Sequence, residues 1–196
     1  MVRRAVTLTG GLQDIISATA RVVLLKPNLV RWSGQGIYTD PRVVRAVALL
    51  VHEVAPAARI IIGEGPGSWV TPDLPGTVPF TVELDHVGGG GFVDGFERSG
   101  YRDMARELRE KGIDVRIRDL NFDRVIMRDV PGGHLSRESY AIAASVLEAD
   151  AWINVPVAKT HGSKITCAMK NPFGILPGRH YGWNKSRGTL TNEGIP

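Results

Sequence analysis

Two short apolar runs, RVVLLKP at 21–27 and ARIIIGEG at 58–65, constrain the fold of this chain more than any other feature. Neither alternates polar with apolar residues, so each reads as a strand buried on both faces. Between them, DPRVVRAVALLVHEVA carries the chemistry of a helix start. Asp40 is placed to cap, Pro41 suits the first helical position, and Val43, Val47, Leu50, Val51 and Val54 fall on one stripe. Strand, helix and strand, with both strands apolar throughout, predict a βαβ unit and therefore a mostly parallel sheet flanked by helices.

The rest of the chain extends this α/β reading. FERSGYRDMARELREKG predicts a helix that stops at Gly112, IDVRIRDL (113–120) alternates like a strand nearer an edge, and RVIMRDV adds a short strand. The second half of SRESYAIAASVLEAD reads as helix, and AWINVPVAK (151–159) is the last apolar strand. Residues 66–95, rich in glycine and proline, are too long for a routine connection and read as a lid-like loop or insertion. At 196 residues the chain suits one α/β layered sandwich over 1–196, long enough for a core that needs no metal or disulfide staple.

In a parallel sheet of this kind, ligands bind outside the carboxyl ends of the strands. Those ends read Lys26-Pro27-Asn28, Gly63-Glu64-Gly65 and Pro156 to His161. The last leads into VPVAKTHGSKITCAMKNPFGILPG (155–178), which places Lys159, His161, Lys164, Lys170 and Asn171 together without an acid. Ser163 is expected to cap a short helix from about Lys164 to Asn171, with Thr166 and Lys170 turned to the strand ends. Its free N–H groups would add partial positive charge, making an anion site without a Walker loop. GEGPGS lacks a following helix, which leaves nucleotide binding weakly supported.

Acids stand nearby. Glu64 lies between glycines at a strand end, and Asp119 closes the IRDL strand. With His161 they could make a mixed nitrogen and oxygen site for a divalent metal. Equally, they could neutralise Lys26, Lys159 and Lys170. Asp40 reads as a helix cap rather than a ligand, and Asp119 as structural. His52, His86 and His134 have no recognisable partners, and solvated positions are expected for them.

Cys167 is the single cysteine, which rules out an internal disulfide, a CxxC pair or an iron–sulfur cluster of the chain's own. It reads as a small buried hydrophobe, and a reducing cytoplasm is the expected setting. The two arginines at the start are followed by Thr7, Thr9, Gly10, Gly11, Gln13 and Asp14, which is no export signal, and no apolar run is long enough for a membrane span. From Pro156 onward, Lys159, Lys164, Lys170, Arg179, Lys185 and Arg187 face Glu193 alone, which points to an anionic partner. Tyr181 and Trp183 sit among these cations, yet no nucleic-acid motif accompanies them, and nucleic acid is not the expected partner.

Taken in order, LLKPNLV, TDPRVVRAVALLVHE, IIGEG, RDLNFD and VLEADAWINVPVAKTHGSKITCAMKNPFGILPG resemble the family called domain of unknown function 362. The resemblance runs from about Val22 to Pro196 and is carried by Lys26, Pro27, Asn28, Asp40, Pro41, Glu64, Pro156, Lys159, His161, Thr166, Lys170, Asn171 and Gly174. It implies a protein of no established activity, whose relatives are often fused to ferredoxin-like iron–sulfur modules. It also implies a truncated member, with 178–196 as a basic tail opening a further segment. Two expectations follow. The first is an enzyme, or enzyme core, for a small anionic substrate: Lys26, Asn28, Thr166, Lys170 and Asn171 bind it, and Lys159, His161 and Glu64 carry the chemistry. Burial and neighbouring cations should lower the pKa of Lys26 or Lys159 enough for either to serve as a base. The second is a metal- or cofactor-binding partner of a separate ferredoxin-like electron-transfer protein.

Overall fold

The computed structural model of the chain describes residues 1–30, 36–66, 94–134, 136–161, 164–167, 169–181 and 185. Four parallel strands make the central sheet: β1 (Val22–Pro27), β2 (Arg59–Glu64), β3 (Val115–Asp119) and β6 (Ala151–Val155). Their order is β3-β2-β1-β6. The chain therefore builds outward from β1 through β2 to β3, then returns to the other side of β1. The β1/β6 boundary is a topological switch point, where an open α/β sheet has its crevice.

The helix α2 (Pro41–Val54) starts as its sequence predicts, with Asp40 accepting from the Arg42 N–H and Pro41 in the first turn. It and α4 (Tyr101–Glu110) cover one face of the sheet. Val44, Val47, Ala48 and Val51 from α2 and Tyr101, Met104, Ala105 and Leu108 from α4 pack on Val23, Leu25, Ile60, Ile62 and Val115. Strand side chains alternate between faces, so Leu24, Lys26, Ile61, Gly63, Trp152 and Asn154 point the other way. Gly63 is small for a reason: a Cβ there would press on Leu24 and Leu120 at 3.0 Å. Asp150 holds the opposite end of the sheet, its carboxylate accepting from the N–H groups of Arg21 (2.7 Å) and Val22 (2.9 Å).

Several elements differ from the sequence reading. The helix expected across 96–111 is two, α3 (Gly95–Arg98) and α4, separated at Gly100, whose φ of 80° only glycine adopts cheaply. Gly112 (φ 83°) ends α4 as anticipated. Between β3 and β6 lie an antiparallel pair, β4 (Val125–Asp129) and β5 (Ser139–Ala143), and a single helical turn, α5 (Ala144–Leu147). A short helix α1 (Val2–Leu8) precedes the sheet.

The largest correction concerns the helix expected from Lys164 to Asn171. The chain instead forms a hairpin, β7 (Lys159–His161) paired with β8 (Lys164–Thr166), followed by a 3-10 helix at Asn171–Ile175. Proline is tolerated in the first turn of a helix, so Asn171-Pro172 opens that helix instead of closing an earlier one. Ser163, the expected cap, lies outside the described residues, as does 67–93, nearly all of the expected long loop with His86. The turn α6 (Gly178–Tyr181) and Lys185 are the described part of the basic C-terminal stretch. Among the described residues no helix is long and apolar enough to cross a membrane.

Candidate functional site

The carboxyl ends of β1 and β2 meet in a buried ion pair. Lys26 donates to Glu64 Oε1 at 2.6 Å, with both side chains essentially closed to solvent. Charges so placed are tolerable only when further hydrogen bonds support them, and here both groups have such bonds. Lys26 Nζ also donates to the Pro27 carbonyl (2.8 Å), while Glu64 accepts from the N–H groups of Gly65 (2.8 Å) and Leu29 (3.0 Å). Burial lowers the lysine's pKa, Glu64 opposes that shift, and Lys170 adds to it.

The 3-10 helix lies across this pair as a strap. A Cβ at Gly174 would overlap Glu64 Oε1 and come within 2.7 Å of Lys26 Nζ, so the strap fits only because residue 174 is glycine. Gly65 is its counterpart, since a Cβ there would strike the Gly174 carbonyl. Lys185 pins the assembly from the far side, its Nζ donating to Gly65 O at 2.7 Å and, at 3.4 Å, to Phe173 O. Burial drives the Lys185 pKa down to about 7, with Lys26 adding to the fall and Glu64 and Asp119 opposing it.

At the switch point, Thr39 clips β1 to β6. Its hydroxyl accepts from the Asn28 N–H (2.9 Å) and donates to the Val155 carbonyl (2.7 Å). Tyr101 Oη holds Thr39 in turn through its carbonyl, at 2.7 Å. This fixes Asn28, whose side-chain oxygen accepts from Lys159 Nζ at 2.9 Å; Lys159 also donates to the Ile37 carbonyl. The Lys159 pKa is lowered by burial first and by Lys170 next. Asn171, at the start of the strap, donates through Nδ2 to Asn154 Oδ1 (2.6 Å), Lys26 O (3.1 Å) and Pro27 O (3.3 Å).

The sequence-predicted residues Lys26, Asn28, Glu64, Lys159, Lys170 and Asn171 thus lie around one set of strand ends. Lys170 is half-buried, bears electrostatically on both Lys26 and Lys159, and makes no ion pair with a described residue. Asp119 sits beside Glu64 in register, its Oδ1 accepting from the Asn121 N–H at 2.9 Å in a turn that closes β3. His161 and Thr166 are on the β7–β8 hairpin, and their side chains lie outside the described residues. Asp40 is the α2 cap. Cys167 is half-buried, His52 half-buried and His134 exposed. Among the described residues no group of three or more His, Cys, Asp or Glu side chains is placed to hold a metal ion.

Sequence reasoning did not single out Lys185, Thr39, Asn154 or Asn121. Asn121 is fully buried and joins three segments, donating to Pro66 O (2.7 Å) and accepting from the Gly178 N–H (2.9 Å). Its place inside RDLNFD, directly after a strand end, was the available signal. For Lys185, a lone lysine in a basic stretch, no signal distinguished a buried position from a solvated one.

Lysines gathered with a buried carboxylate at the carboxyl ends of a parallel sheet define a class, an α/β protein whose ionic groups collect at its strand ends. The profile of the family described as domain of unknown function (DUF362) matches residues 23–193, and the chain belongs to that family. No curated protein and no solved structure gave a match.

Proposed function

We propose that this chain is the anion-binding core of an enzyme, with a small carboxylate or phosphate seated at the β1/β6 crevice. The observation that carries this reading is Lys170, an ammonium beside two other lysines with no described carboxylate to answer it. Among the described residues, Lys26, Lys159 and Lys170 are answered by Glu64 across these strand ends, three lysines to one carboxylate. In a partly desolvated crevice such an excess attracts an anion far more strongly than on an open surface. Lys170 binds the anion and Lys159 flanks it, while Asn28 and Glu64 hold the lysines in place. Lys159, whose pKa is lowered, and His161 on the adjoining hairpin are the residues assigned to proton transfer.

Calorimetric titration with acetate and with inorganic phosphate tests the anion site. At least one should bind, more weakly as ionic strength rises, and Lys170→Ala should weaken it tenfold or more. The Lys170 side chain makes no hydrogen bond or ion pair with a described residue, so this variant should keep the wild-type circular dichroism spectrum. Absence of binding by both anions, or binding unaffected by the substitution, overturns the reading.

A further inference from the structure

The strap leaves a second demand unmet next to Lys170. Asn171 is 3% exposed, and its Oδ1 is buried with no hydrogen-bond partner among the described residues. The orientation of its amide is not interchangeable. Nδ2 faces three oxygens, those of Lys26, Pro27 and the Asn154 side chain, and turning the amide over would set oxygen against oxygen at 2.6 Å. The strand ends therefore take the nitrogen, and trigonal geometry turns Oδ1 away from them. Buried acceptors in native proteins nearly always have a donor, so one without is a place where a ligand or water belongs.

Residues 170 and 171 thus lack complementary things. Among the described residues, the Lys170 ammonium has no anion and Asn171 Oδ1 has no donor. We infer that the crevice takes a small acid bearing a hydroxyl or amino group on the carbon next to its acid group. The acid meets the half-buried Lys170, and the donor points inward to Asn171 Oδ1. This inference rests on the anion site proposed above and adds to it a discrimination that charge alone does not supply. Lysines attract acetate and glycolate alike, because both are singly charged carboxylates at neutral pH. Only an acceptor fixed in the site separates them, and a site built to bond a hydroxyl rejects the analogue lacking it.

Titrating the whole chain with glycolate and with acetate at one pH and ionic strength reads this directly. Glycolate should bind at least tenfold more tightly, and in Asn171→Leu, which removes the acceptor, the ratio should fall below twofold. Should that variant fail to fold, the wild-type ratio decides alone. Equal affinities in the wild type overturn the inference, assign Oδ1 to an internal water, and leave the anion site standing. If neither probe nor inorganic phosphate binds, the anion site and this inference fall together.

Discussion

Single side chains at the strand ends are held by contacts whose loss has calculable consequences. Removing Lys26 strands the Glu64 carboxylate in a closed environment, so Lys26→Ala should cost about 3–5 kcal/mol in urea denaturation. Replacing both partners, as Lys26→Met with Glu64→Leu, should cost less than that single change, because the carboxylate is then no longer left buried without its ammonium. A smaller cost for the single variant would mean that water reaches Glu64. Lys185 makes a prediction in pH. Its folded pKa near 7 lies below the ordinary lysine value of 10.5, so between these the unfolded chain holds a proton that the folded chain has released. Stability therefore rises with pH across that window, by at most about 1.4 kcal/mol per unit. Lys26 and Lys159, also lowered, act in the same direction. The difference between wild type and Lys185→Met, followed by urea midpoints at pH 7 and 9.5, isolates the share of Lys185. Curves that stay parallel would place its ammonium in water.

Between elements, the critical joint is the one that Thr39 makes between β1 and β6. Thr39→Val keeps the shape but leaves the Asn28 N–H and the Val155 carbonyl without this partner. That should cost about 2–4 kcal/mol, as two buried groups lose their bonds. Because Asn28 positions Lys159, anion affinity should fall as well, even where the variant is fully folded. Unchanged affinity in a folded Thr39→Val variant would show that Lys159 needs no such support. Nothing in the sequence marked Thr39, which sits beside a helix cap and looks like part of it. β1, α2 and β2 were legible because apolar runs and capping chemistry are local signals. The hairpin β7–β8 was not, because KTHGSKIT lacks the apolar alternation that marks a strand. The same holds for the site. Lysines at strand ends could be read from position alone, whereas the partners Asn154, Asn121 and Lys185 come from segments that only the fold brings together.

Over the whole molecule, the net charge of +4 is modest, and its arrangement matters more than its size. The helix-covered face of the sheet is apolar and closed, and the cationic groups gather where β1, β2 and β6 end. A ligand seated there binds the folded chain and not the unfolded one. It should therefore raise stability by RT ln(1 + [L]/Kd), about 2.7 kcal/mol at one hundred times Kd. Phosphate strengthens most folded proteins by exclusion from their surface, so a rise in melting temperature is not by itself evidence of a site. The difference between wild type and Lys170→Ala removes that general part, since exclusion acts on both chains equally. Phosphate should raise the wild-type melting temperature more than that of Lys170→Ala, and the gap should saturate with concentration instead of growing linearly. Chloride at matched ionic strength should open no such gap. Equal, unsaturating shifts in both proteins would reduce the crevice to unsatisfied surface charge, and the lysines around it to supports for the sheet.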